Sequence, residues 1–116
     1  MMLVKVNPQH IQRKTFNAWW YDVKLKDFSI AGANIIGRYP EKGLAVNEEV
    51  DVTFMIFDGG ACITVDGEST ALNKGDIFIV PKGSKYMMEP ELCKEFSLWM
   101  ITSPKYTESQ HKTITK

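Results

Sequence analysis

Four side chains in this sequence could act on a bound molecule: Arg38, Asn47, Glu48 and Tyr86. An inward-facing guanidinium at Arg38 would grip a carboxylate or phosphate through two parallel hydrogen bonds. Facing outward, it would instead pair with Glu41 or Glu48. The Tyr86 phenol could orient a ligand, or serve as acid or base were its pKa to fall. It could equally anchor a packed rim through one hydrogen bond. Glu48 and Glu49 are neighbours, so in an extended chain they point apart and at most one faces a given site. A carboxylate pair would need its second member from another strand. Asn47 could bond a ligand or cap its own loop. Trp99 shares a strand face with Ser97 and Ile101, opposite Phe96, Leu98 and Met100, and adds an aromatic surface. Cys62 and Cys93 sit in apolar runs without CxxC spacing, which points to two buried thiols rather than a disulfide or redox pair.

The elements that must position these groups are short and extended. Helical periodicity is scarce, while strand-like runs recur with turn residues between them. Leu3 to Val6 reads as a first strand, stopped at Asn7-Pro8. Residues 9 to 20 read as a loop with at most one helical turn, and Tyr21 to Leu25 as a strand. Phe28 to Tyr39 follows, with Gly32 and Gly37 as bends or bulges, and Pro40 ends it. Glu41 to Glu49 is expected to be a polar loop. Val50 to Phe57 is the strongest strand, with Val52, Phe54 and Ile56 on one face and Thr53, Met55 and Phe57 on the other. Asp66-Gly67 supplies a hairpin turn between Ala61–Val65 and Glu68–Leu72. Ile77–Val80, Ser84–Met88 and Lys94–Thr102 complete the set, and Lys105 to Lys116 is a polar tail expected to pack loosely or to help a partner.

The 116 residues suit one domain with a real core. A formal net charge of zero, without a lysine or arginine cluster, offers no attraction to nucleic acid or an anionic membrane. No long apolar run predicts a transmembrane helix or a secretory signal, so a cytoplasmic location is expected.

The run Gly75-Asp76-Ile77-Phe78-Ile79-Val80-Pro81-Lys82-Gly83-Ser84-Lys85-Tyr86 resembles the second sequence motif of the cupin family. That motif is a glycine, five residues, Pro-x-Gly and then usually a metal-holding histidine, whose place is taken here by Tyr86. The resemblance covers roughly residues 33 to 104 and implies an all-β double-stranded β-helix, a jelly-roll barrel. Residues 1–32 would pack on the 33–104 barrel, and 105–116 would trail from it. Counting the family's first motif back from Gly59 puts its glutamate at Val52. Its histidines then fall at Val46 and Glu48, or at Ala45 and Asn47 with a loop one residue longer. Gly37-Arg38-Tyr39-Pro40-Glu41-Lys42-Gly43 resembles a segment of small single-domain cupins. The resemblance therefore implies no metal site and no cofactor, and it leaves His10 and His111 outside the matched region.

By the same resemblance Val52 and Tyr86 face the barrel interior, and alternation adds Phe54, Ile56 and Met88. Such a wall suits a small-ligand site and equally a filled core. The leading expectation is a metal-free barrel that binds a small organic molecule such as a carboxylate or sugar. The expected binding residues are Arg38, Asn47, Glu48, Phe54, Tyr86 and Trp99. The alternatives are a metal-independent isomerase, epimerase or lyase, and a packed barrel with a structural role. Sugar epimerases that resemble this fold use a histidine base with a tyrosine acid, and the matched region holds no histidine. The partners expected are a small-molecule ligand and a second copy in a homodimer, since an exposed sheet edge has to be covered.

Overall fold

A computed structural model describes residues 3–21, 23 and 26–115. Eleven strands follow one another: β1 Val6–Gln12, β2 Phe16–Tyr21, β3 Ser29–Ile35, β4 Leu44–Asn47, β5 Asp51–Asp58, β6 Ala61–Val65, β7 Glu68–Leu72, β8 Ile77–Val80, β9 Lys85–Pro90, β10 Phe96–Ser103 and β11 His111–Ile114. They form a six-stranded sheet ordered β1-β2-β3-β10-β5-β8 and a five-stranded sheet ordered β11-β4-β9-β6-β7, with every pairing antiparallel. The two sheets face each other as a jelly roll. No helix among the described residues is long and apolar enough to cross a membrane.

Alternation decides which side chains meet between the sheets. In β5, Val52, Phe54 and Ile56 are buried while the residues between them are not. Phe96 and Leu98 of β10 and Ala33 and Ile35 of β3 join them. Ala45, Ala61, Ile63, Tyr86 and Met88 close the core from the smaller sheet. The Asp66-Gly67 hairpin forms as expected, with positive φ at both residues (47° and 89°), as the tight turn between right-twisted strands requires.

Several sequence expectations change. Residues 9 to 20 are not a loop: β1 and β2 pair as a hairpin, with Pro8 on an edge strand where no central ladder bond is lost. The expected strand Tyr21 to Leu25 falls in part on residues 22, 24 and 25, outside the described ones. Gly32 is no bulge. It pairs in regular register with Trp19 and Trp99, and a β-carbon there would collide with the Trp19 ring that lies across it. The 41–49 loop contains β4, because Leu44-Ala45-Val46-Asn47 can pair on both sides. Cys62 is exposed rather than buried, since Ala61 and Ile63 take the inner positions of β6. Cys93 lies outside the described side chains.

The largest revision concerns the polar tail. Residues 111–114 form β11, which pairs with β4 in the register His111↔Asn47, Lys112↔Val46, Thr113↔Ala45, Ile114↔Leu44. The backbones meet closely enough that a β-carbon on Gly43 would strike the Ile114 carbonyl. Gln110, just before the strand, is 1% exposed.

Candidate functional site

Between the sheets lies a cavity of about 610 Å³. It is open, so the barrel is not a filled core, and its size falls within the roughly 300–1,000 Å³ of small-molecule sites. One wall is carbon: Val52, Phe54, Leu98 and Met100, with Phe16, Ala18 and Ala33 beside them. The other wall runs through Asn47, Tyr86, Tyr39 and His111. Tyr106, Glu108 and Trp20 also line the cavity.

The polar wall is built by strand pairing. The β4–β11 register sets His111 opposite Asn47, and the β4–β9 register sets Ala45 opposite Tyr86. Tyr39 is tied by two backbone hydrogen bonds to Met88 of β9. Its ring meets Phe16 edge-on, with centroids 5.1 Å apart, and stacks near the His111 imidazole at 6.4 Å. The result is a continuous chain. His111 Nδ1 lies 2.9 Å from Asn47 Oδ1, and His111 Nε2 lies 2.9 Å from the Tyr39 hydroxyl. With the amide oxygen as acceptor, Nδ1 carries the proton and the Nε2 lone pair accepts from Tyr39.

Burial sets the protonation states. It lowers the His111 pKa from the usual 6.5, so the imidazole is neutral at pH 7. It raises the Tyr39 phenol to about 12, helped by the nearby Tyr106. Tyr86 is pushed well above 10.0, mostly by burial and then by Tyr39, against an opposing hydrogen bond from Asn47. Tyr86 therefore serves as a neutral phenol, with Phe54 packed against it at 5.7 Å. Among the described residues no three His, Cys, Asp or Glu side chains converge as a metal-holding group. In β4, Ala45 pairs with Tyr86 and Val46 with Lys85, Asn47 lines the cavity and Glu48 is exposed.

No family model matches the sequence, and no curated protein matches it. Solved structures do. A variant of Streptomyces Pac13 with uridine superposes with a TM-score of 0.83 at 11% identity, covering 99% of this chain and 93% of that one. Pac13 is described as a nucleoside dehydratase. KdgF from Halomonas sp. gives 0.69 at 14% identity, covering 87% of this chain and 90% of its own. The cupin domain of Schizosaccharomyces pombe Cnp3 gives 0.70 at 17%, covering 83% and 68%. The fold is a cupin fold. At these identities the likeness concerns architecture alone.

Within this cupin-like barrel the six expected binding residues separate into two groups. Asn47, Phe54 and Tyr86 line the cavity. Arg38, Glu48 and Trp99 do not. β3 ends at Ile35, so strand alternation no longer governs Arg38, whose guanidinium donates to the Pro40 carbonyl at 2.7 Å. Glu48 is exposed in the β4–β5 connection, and its backbone N–H bonds the Gln110 carbonyl. Trp99 lies on the outer face of β10 among Trp19, Tyr21 and Phe57.

Sequence reasoning missed Tyr39, Gln110 and His111. Tyr39 stands in the Gly37–Gly43 segment beside Arg38, and no local pattern marks which of the two faces inward. The signal for His111 was the β-branched run Thr113-Ile114-Thr115 beside it, which favours a strand. Its distance from the motif region concealed it, because antiparallel pairing ignores sequence separation.

Proposed function

We propose that this barrel binds a small polar molecule of sugar or nucleoside size and performs metal-independent acid–base chemistry on it, as an isomerase, epimerase or lyase. His111 is the base and Tyr39 the acid. The observation that carries this reading is the Asn47–His111–Tyr39 chain on the wall of a largely apolar cavity. A neutral imidazole with its proton held at Nδ1 has its basic lone pair at Nε2, which exchanges the Tyr39 hydroxyl for a substrate C–H, and a phenol with a raised pKa keeps its proton to give. For an elimination, His111 Nε2 takes a proton from carbon, the C–H electron pair becomes a C=C bond, and Tyr39 protonates the departing hydroxyl as water. The proton on His111 then passes to the Tyr39 phenolate across the same 2.9 Å contact, which restores both groups.

The same observation answers the objection that the matched region lacks a histidine, since β11 brings one in from outside it. No step passes through a metal. Ala45 and Val52 offer no donor atom, and Asn47 Oδ1 already accepts two hydrogen bonds. The description of Pac13 as a nucleoside dehydratase supports the ligand size and the lyase reaction class.

Titration with uridine, followed by a panel of nucleosides, aldoses and sugar acids, tests this directly. Saturable shifts of the His111 imidazole and the Phe54 and Tyr86 ring resonances are expected with at least one compound. Bound compounds are then incubated in deuterated water and examined for deuterium at carbon or loss of water. Binding without either change would leave a non-catalytic ligand-binding barrel. A panel that moves none of these resonances would end the reading altogether.

A further inference from the structure

The direction of the whole hydrogen-bond chain depends on which way the Asn47 amide points. Two of its neighbours are indifferent, because an imidazole and a phenol can each donate or accept. If the amide flipped, His111 would shift its proton to Nε2 and Tyr86 would turn its hydroxyl to donate. Within the trio of Asn47, His111 and Tyr86 no polar atom would be left unpaired by that change. Something that cannot reverse its role has to break the tie.

Gln110 is that group. Its Oε1 accepts from the backbone N–H of Glu49 at 3.1 Å, and a backbone N–H can only donate. Its other end is therefore the NH₂, which lies 2.9 Å from Asn47 Oδ1 and can only donate. Asn47 must present oxygen to it, and the same oxygen faces His111 Nδ1. We infer that Gln110 is a positioning residue that, anchored on the Glu49 amide and acting through Asn47, holds His111 in the Nδ1–H tautomer and leaves Nε2 free to work with Tyr39. The order runs from Glu49 N–H to Gln110 Oε1, from Gln110 Nε2–H to Asn47 Oδ1, from His111 Nδ1–H to the same oxygen, and from Tyr39 O–H to His111 Nε2. Full burial of Gln110 keeps water from substituting for it.

The base and the group that aims it thus sit next to each other in sequence, and both arrive with β11. This inference rests on the acid–base reading for its catalytic meaning, while the tautomer itself can be measured without any ligand.

The experiment is ¹⁵N NMR of the His111 ring nitrogens in wild type, Gln110→Glu, Gln110→Met and Asn47→Asp, between pH 7 and 9. Wild type is expected to show a protonated Nδ1 and a bare Nε2. In Gln110→Glu an ionised carboxylate still accepts from Glu49 N–H but draws the Asn47 NH₂ toward itself, so the His111 tautomer inverts. In Gln110→Met the bias disappears and a mixture of tautomers is expected. Asn47→Asp presents oxygen to both neighbours and keeps Nδ1–H. An unchanged Nδ1–H tautomer in Gln110→Met, or a wild-type proton on Nε2, overturns the inference. Gln110→Met carries the test should Gln110→Glu fail to fold or remain uncharged. Where a turned-over ligand has been found, inversion is expected to lower its rate on the order of 10⁴-fold, as a wrong tautomer does elsewhere, with ligand affinity changed far less. Failure of the proposed function reads differently: the tautomer follows Gln110, but no compound binds.

Discussion

Across the cavity, β5 and β10 present Val52, Phe54, Leu98 and Met100, whereas the edge formed by β4 and β11 presents Asn47, His111 and, through Gln110, an anchored line of hydrogen bonds. The first wall is held by burial, which is additive and nondirectional, so its residues set the space available and the stability of the barrel. The second is held by contacts that fail if one atom is wrong, so its residues set protonation. Shape and the proposed reactivity are therefore carried by different strands and can be damaged separately.

The sharpest test of that separation removes reactivity and keeps shape. His111→Gln or Tyr39→Phe is expected to cut any acid–base turnover by roughly 10²–10⁴-fold. Ligand affinity, by titration calorimetry, should stay within a small factor of wild type. Equal losses of binding and turnover would show that the two walls are not independent.

Phe54→Ala performs the converse experiment. Phe54 is buried with its ring against Tyr86, and its loss is expected to cost about 3–5 kcal/mol in urea unfolding. The His111 tautomer should survive in whatever fraction remains folded. A loss below about 1 kcal/mol would mean that the apolar wall is not the structural one.

A smaller effect follows from the buried histidine. The pKa of His111 in the folded barrel lies below its unfolded value of 6.5. Below pH 6.5 the unfolded chain therefore binds more protons than the folded one. The stabilising contribution of a neutral His111 is complete above that pH and is lost as pH falls toward the lowered folded value. Wild type should lose more stability than His111→Gln between pH 7 and pH 5 in thermal melts, and the same loss in both would remove burial as the cause.

The smallest change is expected at Arg38. It touches neither wall, and Arg38→Ala should cost only about 0.5–1.5 kcal/mol for its bond to Pro40, with ligand affinity unaltered. A marked drop in affinity would return Arg38 to the site.

What the sequence made legible follows the same division. Alternation in Val50–Phe57 and the turn residues from Gly75 to Gly83 suffice to read a jelly roll, because burial and turn geometry are local signals. Phe54 and Tyr86 were legible for that reason. Arg38 and Trp99 were misplaced where alternation was extended past the end of β3 or could not say which face was inner. His111 and Gln110 depend on the register between two strands 63 to 64 residues apart, which no local pattern encodes. Charge makes Arg38 and Glu48 conspicuous in the sequence, while the groups of the proposed site are neutral ones whose meaning lies in what they touch.

One small feature offers a clock for the whole arrangement. Glu48 and Glu49 lie on an exposed connection, yet the amide of one bonds the Gln110 carbonyl and the amide of the other bonds the Gln110 side chain. Two neighbouring loop amides should therefore exchange with deuterium only as fast as the carboxyl-terminal strand lets go. Their isotope uptake would time how often the barrel opens the hydrogen-bond chain from Gln110 to Tyr39 while the rest of the sheet stays closed.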